Sequence, residues 1–508
     1  MKNLKSFLSR ALIVLSIAVQ IIILYLLFST YKAYFVWERI ISAVIALIIV
    51  LKLLTKKVAP EFKIPWLVLF AFFPVLGFCL YLLFGSTKVS KSKQKFFREV
   101  KNEYQKIITE TKQAKLEKQK FLGKYKGIEQ YLFNTLKTKG FLNSKVEYFS
   151  LGEDYFSDLL LEIDRAKQFI FIETFIIKSG YMWDTLHSKL LEKVKNGVEV
   201  RLIYDDIGTL GKLVSGYYKT LNKQGINCQI FNPVKPLVSG IYNNRDHRKM
   251  VIIDGEIAYT GGVNIADEYI NKTSPYGHWK DCAVKIKGEA VNNLTCDFLS
   301  TFDLSSKQCS VYKNYAKLNN KPDKIQGYVH PFSCGPMGLY STDVARQNLI
   351  NMISVAEKSV YITTPYLIID TALTSAITSS ALKGVDVRII LPKIPDKKII
   401  YGVSKSTAQY LREKGVKIYF YSKGFIHSKT VLIDGEFAFV GTINLDYRSL
   451  SHHFENGVVT YKTTAVKDIK KDFENIFSVS EIATEKNCKV NKFTRLINAF
   501  LAAFRPLL

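Results

Sequence analysis

Hydrophobic positions follow two different patterns along the chain, and the change falls near residue 140. Before it, apolar side chains form three long segments, at residues 11–30, 40–54 and 64–84. After it, short β-branched runs alternate with stretches in which apolar residues recur at helical spacing. The first pattern is typical of membrane helices, and the second predicts strands separated by helices. We therefore expect a membrane region followed by an α/β region with mixed sheets flanked by helices.

The membrane region is predicted to occupy residues 1–87 with two or three transmembrane helices. Segment 11–30 is long enough to span a bilayer, and the lack of a small-residue cleavage site after it disfavours a signal peptide. Segment 40–54 is short and is interrupted by Lys52, whereas segment 64–84 is the clearest of the three.

Two basic clusters give conflicting indications of topology. Lys56 and Lys57 precede the last apolar segment, and the lysine-rich stretch 88–126 follows it. Positive charge favours the cytoplasmic side, so both clusters cannot be cytoplasmic if the segment crosses once. Either one apolar segment is re-entrant, or one of the basic clusters does not lie on the cytoplasmic side. We expect a multi-pass membrane protein whose catalytic region is cytoplasmic.

The α/β region contains an internal duplication. Three stretches of the first copy match three of the second: 166–177 with 356–368, 197–206 with 384–393, and 221–231 with 411–421. Each copy therefore predicts strand, helix, strand, helix, strand. The predicted divisions are a basic helical linker at 88–135, a first repeat at 136–310, a connection at 311–335, a second repeat at 336–487 and an amphipathic segment at 488–508.

A polar motif follows the third strand of each repeat. The first copy is HRKMVIIDGEIAYTGGVN at 247–264, and the second is HSKTVLIDGEFAFVGTIN at 427–444. Their apolar runs close on Asp-Gly, which predicts a hairpin. Five positions keep an offset of 180 residues: His247 and His427, Lys249 and Lys429, Asp254 and Asp434, Gly261 and Gly441, Asn264 and Asn444.

The spacing within each motif indicates its chemistry. A histidine and a lysine two residues apart on a strand project from the same face. An imidazole acts as a nucleophile or proton carrier near neutral pH, and a lysine beside it supplies a point charge for phosphate. The two asparagines, Asn264 and Asn444, are candidates for holding the phosphate oxygens with the lysines.

These paired motifs resemble the HxKxxxxDxxxxxxGxxN motifs of the phospholipase D superfamily, without a departure at the five positions. The resemblance implies two repeats packed by pseudo-twofold symmetry, with both motifs in one cleft. It implies catalytic His247, Lys249, Asp254, His427, Lys429 and Asp434, substrate-binding Asn264 and Asn444, and supporting Asp281, Glu455, Gly261 and Gly441. For Asp254 and Asp434, a role in holding the hairpin turn is an equal alternative.

The resemblance also implies a two-step transfer through a phosphohistidine. It makes His427 the acid and His247 the nucleophile. We expect Arg245 and Arg248 to keep the nearby His247 neutral, and Glu455, downstream of the second motif, to help His427 retain a proton. We expect neither a metal ion nor a cofactor, since no ligand spacing occurs among the cysteines and histidines.

Several other polar residues are candidates for the cleft. Glu173 lies in the apolar strand FIFIETFII and is a candidate for facing it, with Thr363 and Thr364 at the equivalent place. His452 and His453 precede Glu455 closely and are candidates for lining it.

Charge and the apolar segments bear on the substrate. The formal net charge is +27, which beside membrane segments indicates an anionic lipid surface rather than nucleic acid. The segment IPWLVLFAFFPVLGFCLYLLFG and the terminal PLL are similar to those of bacterial cardiolipin synthases. That resemblance implies a bacterial cell-membrane enzyme that joins two phosphatidylglycerol molecules into cardiolipin and glycerol. The alternatives are a membrane phospholipase D that uses water and a tethered nuclease; the oligomeric state is open.

Overall fold

The computed structural model describes most of the chain. The described residues are 35–55, 60–73, 76–78, 80–81, 85, 89–107, 110, 112–233, 243–317, 325–336, 339–340 and 343–488. The chain divides into two compact units, Met1–Ser86 and Thr87–Leu508. The predicted segment 11–30 and, apart from its first residue, the predicted segment 488–508 lie outside the described residues.

The first unit contains two described helices, α1 at Phe35–Thr55 and α2 at Ile64–Phe72. The predicted segment 64–84 is not one continuous helix, because Phe73 leaves the helical conformation with φ −138° and ψ 69°. Pro74 follows it, and a residue before proline is disfavoured in the α region.

Across the described parts of the chain, no helix has both the length and the apolar composition needed to cross a bilayer. The predicted transmembrane helices are therefore not confirmed.

Three helices open the second unit, where the sequence predicts a basic helical linker, and they pack against other parts of the unit. They are α3 Lys91–Ile107, α4 Lys112–Leu122 and α5 Lys126–Leu136. Tyr125, between α4 and α5, is buried and stacks on Phe437 with ring centroids 4.7 Å apart. Lys118 is buried between Glu110 and Glu129, at 2.8 and 2.7 Å. The apolar stripe of these helices is narrow and surrounded by lysines. The sequence pattern therefore did not predict that one face of them is packed.

The first repeat forms a seven-stranded mixed sheet in the order β1–β8–β6–β5–β2–β3–β4. Its strands are β1 Lys145–Phe149, β2 Phe169–Thr174, β3 Glu199–Asp205, β4 Asn227–Phe231, β5 Met250–Ile253, β6 Ile257–Gly261 and β8 Ala283–Lys287. Its helices are α6 Gly152–Arg165, α7 Tyr181–Lys195, α8 Asp206–Thr209, α9 Tyr217–Lys223 and α10 Val291–Ser306.

The second repeat forms an eight-stranded sheet in the order β19–β13–β12–β10–β15–β16–β18–β9. Its strands are β9 Tyr328–Cys334, β10 Ser359–Thr363, β12 Asp386–Pro392, β13 Lys417–Tyr421, β15 Thr430–Ile433, β16 Phe437–Gly441, β18 Glu455–Tyr461 and β19 Ser480–Ile482. Its helices are α11 Val344–Ser354, α12 Thr371–Leu382, α13 Lys398–Glu413, α14 Tyr447–Ser451, α15 Thr464–Ser478 and α16 Glu485–Cys488.

The two sheets share one strand order, apart from the added β19, and the predicted mixed α/β fold is confirmed. The predicted connection 311–335 is not only a connection. It contains β9, which pairs with β18 along its whole length and so belongs to the second sheet. Pro331 lies in this strand, and an edge position tolerates a residue without an N–H.

The two repeats meet at the start of each motif. Strand β7, His278–Lys280, pairs in parallel with β14, Gly424–Ile426, of the other repeat. A bridge between Asp246 and Phe454 makes the corresponding contact on the other side. Shorter strands β11 Leu367–Ile368 and β17 Leu445–Asp446 pair within the second repeat. The contacts between repeats bring the two motifs together.

Candidate active site

Both motif histidines lie at the junction of the two repeats, just before their motif strands. The His247 N–H donates to the Phe454 carbonyl at 2.9 Å, and the His427 N–H donates to the Lys280 carbonyl at 2.7 Å. Each acceptor belongs to the opposite repeat. Both histidines are 7 % exposed. Neither imidazole is therefore placed by its own repeat alone.

The supporting carboxylates are exchanged between the repeats. His247 Nδ1 lies 3.0 Å from both oxygens of Glu455, and His427 Nδ1 lies 2.6 Å from Asp281 Oδ2. The expectation that Glu455 serves His427 is thus wrong. Because a carboxylate accepts, each Nδ1 carries the proton and each Nε2 keeps its lone pair. Thr442 also donates its hydroxyl to Glu455.

The motif lysines flank the histidines inside the same buried region. Lys249 Nζ donates to the His247 carbonyl at 2.6 Å, and Lys429 Nζ donates to the His427 carbonyl. Burial lowers the pKa of Lys249 to about 7 and that of Lys429 to about 8. Two ammonium groups held out of water attract an incoming phosphate strongly.

The same surroundings keep both imidazoles neutral. Burial and the Lys249 and Lys429 charges lower the pKa of His247 well below its ordinary value. Burial and Lys429 lower the pKa of His427 to about 4, and Asp281 opposes that shift. Asp281 therefore favours the protonated form of His427.

The lysine pKa values predict an alkaline limit. We expect kcat/KM, which reports the free enzyme, to fall as pH rises through about 7 to 8, because Lys249 and Lys429 then lose their charge. At saturating lipid the limit should move to higher pH, since bound phosphate stabilises both ammonium groups. Initial rates measured between about pH 6 and 9 check this. A kcat/KM that does not change across that range would contradict it.

Aromatic rings wall each histidine. Phe175 lies 5.1 Å from the His247 ring, centroid to centroid. Tyr269 and Trp279 lie 5.3 and 5.4 Å from the His427 ring. These aromatic residues were not predicted, because their only signal in the sequence was a position next to strand ends and to Asp281. They contribute to the burial of both imidazoles.

The motif asparagines have different surroundings. Asn264 Oδ1 accepts from the Ile176 N–H at 3.1 Å, and its Nδ2 donates to the Tyr269 hydroxyl at 2.7 Å. Asn444 Oδ1 is buried and has no hydrogen-bond partner among the described residues. Asn264 therefore holds Tyr269 against His427, whereas Asn444 has an acceptor to offer a substrate hydroxyl.

Asp254 and Asp434 lie at the hairpin turns, at the far end of the motif strands from the histidines. Each lies seven residues after its histidine, on the order of 20 Å along an extended chain. Asp254 accepts from the backbone of 167–169, and Asp434 accepts from the backbone of 357–359. Both have positive φ, 54° and 53°. The structure thus gives them the turn-holding alternative rather than the catalytic role.

We expect Asp434→Ala to lower the free energy of unfolding by about 2–4 kcal/mol, because several backbone donors lose a charged acceptor. Asp434→Asn should cost less, since asparagine accepts one of these bonds and tolerates positive φ. Thermal or denaturant unfolding of the full chain measures this, with kcat of the folded protein expected to stay unchanged. A loss of kcat with an unchanged free energy of unfolding would instead show that Asp434 has a catalytic role.

The motif glycines, Gly261 and Gly441, allow close approach of the backbone segment that follows each supporting carboxylate. A Cβ at Gly261 would lie 2.3 Å from the Cys282 carbonyl oxygen, and one at Gly441 would lie 2.5 Å from that of Asn456. Those residues directly follow Asp281 and Glu455. A larger residue at either glycine would push the carboxylate away from its histidine.

Glu173 does not face the cleft, contrary to expectation. Its carboxylate lies 2.8 Å from the buried Arg248 guanidinium, which also bonds Asp246 at 3.0 Å. Arg245 is likewise paired, with Asp205 at 2.8 Å. These arginine charges are compensated, so the charge that keeps His247 neutral comes from the motif lysines instead.

His453 lies beside the first histidine. Its ring centroid is 5.6 Å from that of His247, and its Nδ1 is 3.7 Å from Glu455 Oε1. Ligand atoms of these three residues all lie within 4.8 Å of one another, so they form a group with the donor types of a metal site. The sequence gave no spacing signal for it, because the residues come from separate segments.

Comparison with known proteins agrees with this geometry. A family model described as "Cardiolipin synthase, PLD-like domain" matches residues 159–298 and 349–477, and one described as "Phospholipase_D-nuclease N-terminal" matches 41–86. A Streptococcus mutans protein described as uncharacterized is 38 % identical, covering 88 % of this chain and 96 % of its own. A cardiolipin synthase of Alkalihalophilus pseudofirmus is 33 % identical, covering 88 % and 89 %.

Among solved structures, phosphatidylserine synthase of Haemophilus influenzae shares the fold. Its TM-score is 0.57 at 15 % identity, and the match covers 76 % of this chain and 98 % of that one. Two mixed sheets with paired His-x-Lys motifs define an enzyme of the phospholipase D superfamily that transfers phosphatidyl groups. The chain belongs to the cardiolipin synthase family.

Proposed function

We propose that the protein transfers a phosphatidyl group from one phosphatidylglycerol to a second, giving cardiolipin and glycerol. The observation that carries this is the pair of buried imidazoles with free Nε2 atoms, each oriented by a carboxylate of the opposite repeat. Similarity to cardiolipin synthases over most of the chain supports the substrate.

In the first step the lone pair of His247 Nε2 attacks phosphorus. The bond from phosphorus to the glycerol oxygen breaks, and protonated His427 gives its Nε2 proton to that oxygen. His427 acquires this proton when the anionic lipid enters and raises its pKa. Asp281 stabilises the imidazolium until the transfer. Glycerol leaves, and the phosphatidyl group stays on His247.

The second step reverses the proton's path. A hydroxyl of the acceptor lipid gives its proton to His427 Nε2 and attacks phosphorus, and the bond from phosphorus to His247 breaks. Lys249 and Lys429 stabilise the charge on the non-bridging oxygens in both transition states. Exclusion of water by Phe175 and Tyr269 favours the lipid acceptor.

The bilayer supplies both substrates, so the enzyme works at a membrane. Helix α1 supports this, because Ile41, Leu47 and Ile48 are each more than half exposed. The match of an N-terminal family model to residues 41–86 agrees. The proposed location is the bacterial cell membrane, with several segments of residues 1–86 inserted and the catalytic unit in the cytoplasm.

Product analysis tests the proposal. The purified full chain is incubated with phosphatidylglycerol vesicles, and the lipid products are separated. Cardiolipin with equimolar glycerol supports the transferase. Phosphatidic acid with glycerol would identify a phospholipase D that uses water. Cleavage of nucleic acid without either lipid product would identify a nuclease.

We expect activity to survive a strong chelator, because Lys249 and Lys429 supply the positive charge that a metal ion would otherwise bring. Cardiolipin formation is measured before and after prolonged treatment with excess chelator. The group of His247, His453 and Glu455 provides the specific alternative. Loss of activity, restored by one divalent ion in the protein but not in a His453→Gln variant, would show that this group holds an essential metal.

A further inference from the structure

The proposed reaction brings two phosphates into the cleft, and the motifs account for one of them. In cardiolipin a three-carbon bridge joins the two phosphates, which places their phosphorus atoms roughly 7 Å apart at full extension. The acceptor lipid must therefore hold its own phosphate within one glycerol length of the reacting phosphorus. The acceptor phosphate is a second anion close to the reacting phosphate, and it is partly removed from water. It therefore needs a cation of its own.

Three lysines, Lys178, Lys212 and Lys397, surround the cleft; we call them the mouth lysines. Lys178 follows β2, Lys212 follows α8, and Lys397 precedes α13. Lys212 and Lys397 both lie beyond the carboxyl ends of their repeats' equivalent strands, β3 and β12. Lys212 lies beside the cleft, because its Nζ donates to the Gly208 carbonyl and a Cβ at Gly208 would lie 1.9 Å from the carbonyl oxygen of Phe175, which walls the cleft. After burial, the charges of Lys178 and Lys397 contribute to lowering the pKa of Lys212, which agrees with a place near it.

The charges of Glu268 and Asp446 act on Lys212 and Lys397 respectively, but neither carboxylate forms an ion pair with that lysine. Glu268 pairs with Lys178 at 3.2 Å, and Asp396 accepts from the Tyr366 hydroxyl at 2.6 Å. Lys212 and Lys397 make no ion pair with any described residue. Lys212 Nζ donates to the Gly208 carbonyl at 2.7 Å, and Lys397 Nζ lies 5.3 Å from the centre of the Tyr366 ring. Both ammonium groups have donors to spare.

Their position fits the second phosphate. Glu268, the partner of Lys178, precedes Tyr269, whose ring packs on His427. His427 is the group that the acceptor hydroxyl must approach.

Lys397 Nζ lies over the Tyr366 ring. The next residue, Leu367, pairs with Leu445, which directly follows the motif residue Asn444. After burial and the motif lysines, the charge of Lys397 also helps to lower the pKa of His247. The mouth lysines therefore border the cleft that holds both histidines.

Resting on the proposed function, we propose that Lys212 and Lys397 bind the phosphate of the acceptor phospholipid and so select a lipid acceptor over water or a small alcohol. One lysine comes from each repeat, so the site exists only where the repeats meet. The donor phosphate remains with Lys249 and Lys429.

A competition between acceptors tests this. The full chain acts on phosphatidylglycerol vesicles in the presence of ethanol, which accepts a phosphatidyl group but carries no phosphate. For Lys212→Gln and Lys397→Gln we expect the ratio of cardiolipin to phosphatidylethanol to fall about 10-fold each, the effect of losing one charge-assisted contact. Total glycerol release, which reports donor cleavage, should change little. Lys397→Arg should keep most of the ratio.

Lys414→Gln is the matched control, because Lys414 contacts Tyr410 as Lys397 contacts Tyr366 but lies at the other end of α13. It removes the same charge and should leave the ratio unchanged. An unchanged ratio in the Lys212 and Lys397 variants, or equal falls in cardiolipin, phosphatidylethanol and glycerol, would overturn the acceptor site. Failure of the unmodified protein to make any cardiolipin would instead refute the proposed function.

Discussion

His247→Ala and His427→Ala are each expected to lower cardiolipin formation at least about 10⁴-fold, because each step needs both a nucleophile and a proton carrier. Each imidazole has its own carboxylate, from the opposite repeat, so we expect that neither can take over the role of the other. The measurement is glycerol release from phosphatidylglycerol by the purified full chain.

The double variant should be little worse than either single one, since groups that act as a unit are not additive. His187→Ala is the matched control: this histidine stacks on Trp183 at the surface of the first repeat, 5.2 Å between ring centroids. Near-normal turnover by His247→Ala or His427→Ala, at a wild-type level of folded protein, would refute the two-histidine mechanism.

The duplicated hairpins could be predicted because their signals are local. An apolar run that closes on Asp-Gly specifies its own turn, and the structure has β5–β6 and β15–β16 hairpins at these places. The alternation of strands and helices likewise predicted two mixed sheets. Such features depend on neighbours in sequence, so one sequence is enough to find them.

Contacts between distant segments could not be predicted in the same way. Asp281 lies just downstream of the first motif, yet its carboxylate bonds His427 of the second. Nothing in the local sequence distinguishes this exchange from a carboxylate that serves its own motif. The exchange follows from the pairing of β7 with β14, which is a contact between repeats.

The effects of charged residues on the site were also predicted wrongly, because a sequence does not show which opposite charges lie beside them in the fold. Arg245 and Arg248 flank His247, and the sequence suggested that they act on it. In the structure Asp205, Glu173 and Asp246 compensate both guanidinium groups. The basic residues between 112 and 136 misled for a related reason: they surround a stripe that packs against the second sheet.

The second large loss of activity is expected from changing the carboxylates that orient the histidines of the opposite repeat. Asp281→Asn and Glu455→Gln are each expected to lower cardiolipin formation by about 10³- to 10⁴-fold, as when a catalytic histidine loses the carboxylate that sets its tautomer. Asp434→Asn, the same chemical change at the far end of a motif strand, should leave kcat unchanged and serves as the control.

A substrate with a good leaving group separates the two carboxylates. Phosphatidyl-p-nitrophenol releases nitrophenolate without a proton, so formation of the phosphohistidine no longer needs an acid. Asp281→Asn, which affects the acid His427, should then show a rapid burst of nitrophenolate close to that of the unmodified protein. Glu455→Gln, which affects the nucleophile His247, should show none.

The burst also locates the phosphohistidine. In Asp281→Asn the second step stays slow, because His427 must still take a proton from the acceptor. The phosphatidyl group should therefore accumulate on the peptide that contains His247, where mass spectrometry detects it after a rapid quench. A burst in Glu455→Gln but not in Asp281→Asn, with the adduct on His427, would exchange the roles of the two histidines. Normal turnover by both variants would show that neither carboxylate sets a tautomer that the reaction needs.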